Sequence, residues 1–170
     1  MENEILNMNQ LSQQLAQIIF GTFFLIVGMG SAVSASLRQG KNIQILIWLS
    51  AWSSAYGIGL LIASPAVNIF FPQFIQNLIP AISVIISYLI LVFALLTWVY
   101  LTRDKVRTYL KIMIILACVT AVGGITKFFV AGSSQIVMLV NNLLATSTLI
   151  VFIIILSIKR RWSFQLRIQH

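Results

Sequence analysis

The chain has 170 residues, 59% of them hydrophobic and 8% charged, with a mean hydropathy of +0.99. A chain this apolar has too little polar surface to clothe a water-soluble globule, and at roughly 20 apolar residues per crossing it has room for about four to six membrane spans. The formal net charge is +8, yet the basic residues fall in short groups between long apolar runs, which leaves no continuous basic face for a nucleic acid.

Residues 1–16 come first. Ile5, Met8, Leu11 and Leu15 recur at helical spacing among Asn7, Gln10, Gln13, Gln14 and Gln17, which predicts a short amphipathic lead-in. The opening MENEILNMNQ is acidic and polar, the reverse of a cleavable signal's basic start, so the first apolar run is expected to be retained. That run covers 17–37, and four more follow at 43–64, 78–101, 109–131 and 136–158. At about 1.5 Å per residue each is long enough to cross as a helix. The runs are continuous, whereas the strands of a membrane barrel alternate. The expectation is therefore an all-α integral membrane bundle of about five transmembrane helices over 17–158, with a basic tail at 159–170.

The connections alternate in charge. Arg38 and Lys41 follow the first run; 65–77 carries no charge; Arg103, Lys105, Arg107 and Lys111 follow the third with Asp104; 132–135 carries none; and Lys159, Arg160, Arg161 and Arg167 follow the fifth. The positive-inside rule then puts the N-terminus outside and the C-terminus in the cytoplasm. Trp98, Tyr100, Tyr109 and Trp162 fall at cytoplasmic span ends, where such rings favour the headgroup zone. On the outer side Pro65 and Pro72 bracket Phe70 and Phe71, with Phe74 just beyond. Proline interrupts the helix there, and the segment is expected to be a short re-entrant or interfacial loop.

Enzyme chemistry has little to work with. The three carboxylates are Glu2, Glu4 and Asp104, and the only histidine is His170. No metal-ligand spacing, nucleophile–base pair or phosphate-binding loop is present, so neither catalysis nor a cofactor or metal is expected. Cys118, the one cysteine, lies within IMIILACVTAV and reads as packing. Lys127 is the one charge within a span. Its amine is expected to snorkel to the outer headgroups, and with Phe70, Phe71 and Phe74 it marks a possible outer ligand site.

Polar and small residues in the spans read first as helix packing. Gly28, Ala32 and Ser36 recur every four residues in the first span, and Ala51, Ala55 and Gly59 in the second; such spacing lets backbones approach. Ser50, Ser53, Ser54 and Tyr56 can add interhelical hydrogen bonds. Trp48, Trp52 and Tyr56 form a stripe that reads as a helix interface ahead of a cofactor pocket. Asn141 and Asn142 can cap a helix, bond to a neighbour or contact a ligand, the first two being the default.

The runs FGTFFLIVGMGSAVSASLRQGK, LIWLSAWSSAYGIGLLIASPAV and NNLLATSTLIVFIIILSIKRRW resemble the 7TM-DISM-like membrane input regions of bacterial sensor proteins. The likeness covers about residues 20–162. It implies signal input across a bacterial inner membrane, as a homo-oligomer or with a membrane or cytoplasmic signalling partner. We count five spans, fewer than that family carries, and no kinase, phosphatase or cyclase sequence lies in the twelve residues after Ile158. The expected function is thus a sensor or signal-transmitting input module without a catalytic domain. The alternatives are an accessory subunit of a membrane complex, including an assembly or immunity protein, and a small transporter, which the lack of charge within the spans disfavours.

Overall fold

The structure, a computed structural model, describes residues 2–38, 43–102, 105–132, 136, 138–150 and 153. Every element among them is helical: α1 (Glu2–Leu37), α2 (Ile43–Ala63), the short α3 (Pro65–Asn68), α4 (Gln73–Leu101), α5 (Lys105–Ala131) and α6 (Met138–Ile150). Four of these are long and apolar enough to cross a membrane, over Gln10–Leu37, Ile43–Ala63, Gln73–Leu101 and Val106–Val130. The fifth apolar run is described only through its first part, as α6. The basic tail, residues 39–42, Arg103, Asp104 and 133–135 lie outside the described residues.

The amphipathic lead-in and the first span form one uninterrupted helix. No proline or glycine stands between residues 2 and 20 to break it, so the helix carries through the change from polar to apolar sequence. α1 packs on α2, α2 also packs on α4, and α4 packs on α5. α6 lies against α4 as well, through Leu144 and Ala145 at the Leu91–Leu95–Val99 cluster and Met138 beside Val84 and Tyr88. α4 is thus the common wall of the bundle. Its buried residues, Val84, Tyr88, Leu91, Leu95 and Val99, keep the helical three-to-four spacing of a single face.

Small residues set the tightest seam. Gly21, Gly28 and Ala35 of α1 are buried at seven-residue intervals, which holds them on one side of the helix. A Cβ at Gly57 would sit 2.7 Å from the Gly21 carbonyl oxygen and 2.9 Å from the Leu25 nitrogen, so the backbones of α1 and α2 nearly touch there. Ser50 Oγ donates to the Gly28 carbonyl at 2.8 Å. Gly28 therefore lies in the seam, while Ala32 and Ser36 are exposed beside it and line a shallow cleft with Ile43 and Ile47. On α2, Ala51 and Ala55 are half-buried, and Gly59 faces Ile86 and Ile90 of α4.

The connection from α2 to α4 is ordered by local hydrogen bonds. Pro65 takes the first position of α3, where its missing N–H costs nothing. The Ser64 carbonyl accepts from Val67 and Asn68, and the Gln76 amide donates to the Asn68 and Phe71 carbonyls at 3.1 and 2.9 Å, tying the turn to α4. Phe70 and Phe74 are left exposed, as suits an interfacial rim. At the end of α5, Gly132 adopts φ +66° and its N–H bonds the Phe128 carbonyl, the left-handed stop that glycine permits.

Candidate functional site

A mostly apolar groove of ≈ 480 Å³, with a few polar groups in its wall, lies between α2, α4 and α6, with Leu110 of α5 also in its lining. Trp52 and Tyr56 enter from α2; Ser87, Leu91, Ala94, Leu95 and Trp98 from α4; Asn141, Asn142, Ala145 and Thr148 from α6. Its volume lies within the ~300–1,000 Å³ typical of small-molecule sites. No acidic or basic side chain is among the described residues that line it.

Each wall follows from its helix. Trp52 and Tyr56 stand one turn apart on α2 and are braced from behind by Phe24 of α1, at ring-centroid distances of 5.9 and 4.7 Å and near-perpendicular angles. One turn earlier, Trp48 rests against Phe93 of α4. The aromatic stripe thus serves the interface and also presents two of its rings to the groove. On α6, the Asn141 amide nitrogen donates to the Ser87 carbonyl at 3.1 Å, one of the roles open to it from sequence. Asn141 is only 4% exposed, and its Oδ1 has no partner among the described residues. A buried acceptor left in this state costs roughly 1–3 kcal/mol. Asn142, beside it, is exposed and opens onto the groove.

Depth matters here. Ser87 is the midpoint of α4, 14 residues from Gln73 and from Leu101, which is about 21 Å along the helix in each direction. The Asn141–Ser87 bond therefore lies far from either end of the longest described apolar span. Backbone carbonyls within a helix already carry an acceptor bond, so this contact uses the second lone pair of Ser87.

Lys127 belongs to α5, whereas Phe70, Phe71 and Phe74 precede or open α4. Phe128, next to Lys127, packs with Val84 and Tyr88. Val84 is ten residues from Phe74, about 15 Å along α4. Lys127 is exposed on α5, and Phe70, Phe71 and Phe74 surround the α3–α4 turn. Sequence reading set the Asn pair aside as packing because an Asn-Asn step near a span end has many structural uses. The signal available was an amide pair about two turns before Thr148 on the same helix, all three lining one groove with Trp52 and Trp98. Comparison of the chain with protein-family models, with curated proteins and with solved structures found no match.

Proposed function

We propose that this chain is a receptor-like input module of a bacterial inner membrane, with five spans, its N-terminus outside and its C-terminus in the cytoplasm. The groove between α2, α4 and α6 is its input site, and α6, which leads toward the basic cytoplasmic tail, is the element that passes the signal on. The observation that carries this reading is the buried, unpartnered Asn141 oxygen in the wall of an open groove. Of the buried side-chain atoms without a partner among the described residues, Ser53 Oγ, Ser64 Oγ, Asn68 Oδ1 and Asn141 Oδ1, the Asn141 oxygen belongs to a residue that lines the groove. Occupancy that favours one placement of α6 over another then becomes a signal by population shift.

The test needs no ligand. Ala94→Phe puts bulk into the groove and stands in for an occupant. Spin labels at Ile58→Cys on α2 and Leu143→Cys on α6, in a Cys118→Ala background, should report a distance change of about 1–2 Å, the scale of helix shifts in signalling. An unchanged distance distribution refutes the receptor reading. Orientation is checked separately: Phe70→Cys should react with an impermeant thiol reagent on intact cells, and Lys111→Cys only after permeabilisation.

One observation favours an accessory subunit as the second reading. Asn142 and Thr146 lie together in a shallow outward-facing hollow of α6 with Leu139 and Leu143, where a partner helix can satisfy them. Stoichiometric co-purification of a different membrane protein in mild detergent, lost in Asn142→Leu, would select that reading.

A further inference from the structure

We infer that the α2–α4–α6 groove binds a neutral, lipid-soluble molecule whose ring head carries a hydroxyl, a hydroquinone-class amphipath, with the hydroxyl donating to the amide oxygen of Asn141. The inference deepens the receptor reading and rests on it for its consequence, while the chemistry of binding stands on four features of the groove.

The first is neutrality. No acidic or basic side chain is among the described lining residues, so a charged head would enter a low-dielectric space without a counter-ion. The second is polarity of the bond. Asn141 Nδ2 is engaged with the Ser87 carbonyl and Oδ1 has no partner; an amide oxygen accepts, so the missing group is a donor. The oxygen is itself buried, so a bound hydroxyl reaches it once the Asn141 amide turns; that turn trades the Nδ2 bond that ties α6 to Ser87 of α4 for a bond to the ligand, which couples occupancy to the position of α6. The third is shape. Trp52, Tyr56 and Trp98 supply ring faces, which suit a flat unsaturated head by offset or edge-to-face packing. The fourth is access. The Asn141–Ser87 bond sits at the middle of α4, about 21 Å of helix from either end, so the ligand arrives through the bilayer. Phospholipid tails at that depth carry no donor.

The rival occupant is a trapped water, which can also fill Oδ1. The two are separated by a pair of probes: a hydroquinone bearing one isoprenoid unit, and its dimethyl ether, which keeps the ring, adds two methyl groups and loses both donors, the steric part of the difference being read from Asn141→Leu. Binding of each to the full chain in phosphatidylcholine nanodiscs is measured by native mass spectrometry under oxygen-free reducing conditions. The hydroquinone is expected to bind at least tenfold more tightly than the ether. Asn141→Leu should abolish that preference while leaving weak binding of both, and Ala94→Phe, which keeps Asn141, should weaken both. Equal affinity of the two probes for the unaltered chain, or binding indifferent to Ala94→Phe, overturns the proposal. If the spin-label distance responds to Ala94→Phe and the hydroquinone does not bind, the ligand class is wrong and the receptor reading stands. If the hydroquinone binds as described and α6 does not move, the receptor reading falls and the site remains.

Discussion

The α1–α2 seam and the α2–α4–α6 groove share a helix and solve opposite problems. In the seam, glycine and serine let two backbones close until a single added methyl group would strike a carbonyl at Gly57. In the groove, large side chains such as Trp52, Tyr56 and Trp98 face small ones such as Ser87, Ala94 and Ala145, and ≈ 480 Å³ is left unfilled. Polar groups do not divide as cleanly, since the buried Ser53 hydroxyl on α2, one turn from Gly57, also has no partner among the described residues. Ser50 completes its bond to Gly28 across the seam, whereas Asn141 makes one bond and leaves an acceptor over. A closed seam supplies a fixed frame; an open groove with a spare hydrogen-bonding site supplies something for a ligand to change.

Substitutions can break this contrast at either side. The largest effect is expected from Gly57→Leu. The new side chain meets Gly21 and Leu25 backbone atoms that cannot give way, and the cost should reach about 3 kcal/mol or more in a detergent-unfolding measurement. Gly124→Ala comes next. Its Cβ would overlap the Tyr88 ring between α4 and α5, and a loss of roughly 1–3 kcal/mol is expected. Pairing it with Tyr88→Leu should recover part of that loss, and a double-mutant cycle that finds no coupling would show the contact to be unimportant.

Smaller effects sharpen the comparison. Ser50→Ala removes one satisfied interhelical bond and should cost about 0.6 kcal/mol. Asn141→Leu removes a similar bond together with an unpaired acceptor, so its net effect on unfolding should lie within about 1 kcal/mol of zero. A large destabilisation by Asn141→Leu would make that residue a structural pin and weaken its place in a ligand site. At Gly30 and Gly123 an added Cβ meets nothing within 4 Å. Alanine at either should be neutral or stabilise by up to about 1 kcal/mol through helix propensity, and a loss there would reveal a contact with another chain.

Much of the helical frame was legible because it depends on local composition. The four long spans follow from uninterrupted apolar runs, and the α3 turn from Pro65 and Pro72. The seam was legible only in part. Gly28 stood out in a four-residue pattern with Ala32 and Ser36, but the buried set is Gly21, Gly28 and Ala35, at seven-residue spacing. Both patterns exist in the same helix, and only the crossing of α2 selects between them. The groove was hidden for a related reason: its walls come from residues 52–56, 87–98, 110 and 141–149, and no local pattern tells which helices are neighbours.

Composition and the order of charged and apolar segments by themselves determined that this chain forms long apolar helices suited to a bilayer. Those properties arise from backbone hydrogen bonding and from transfer of each segment out of water, one segment at a time. Tertiary structure alone decided that α4 would be the shared wall, that Gly21 would meet Gly57, and that Asn141 would reach Ser87 across 54 positions of sequence. In lipid every apolar helix face is equally content to meet a tail, so the choice of neighbours falls to shape and to a few polar groups. Here Ser50 ties α2 to Gly28 of α1, and Asn141 ties α6 to Ser87 of α4.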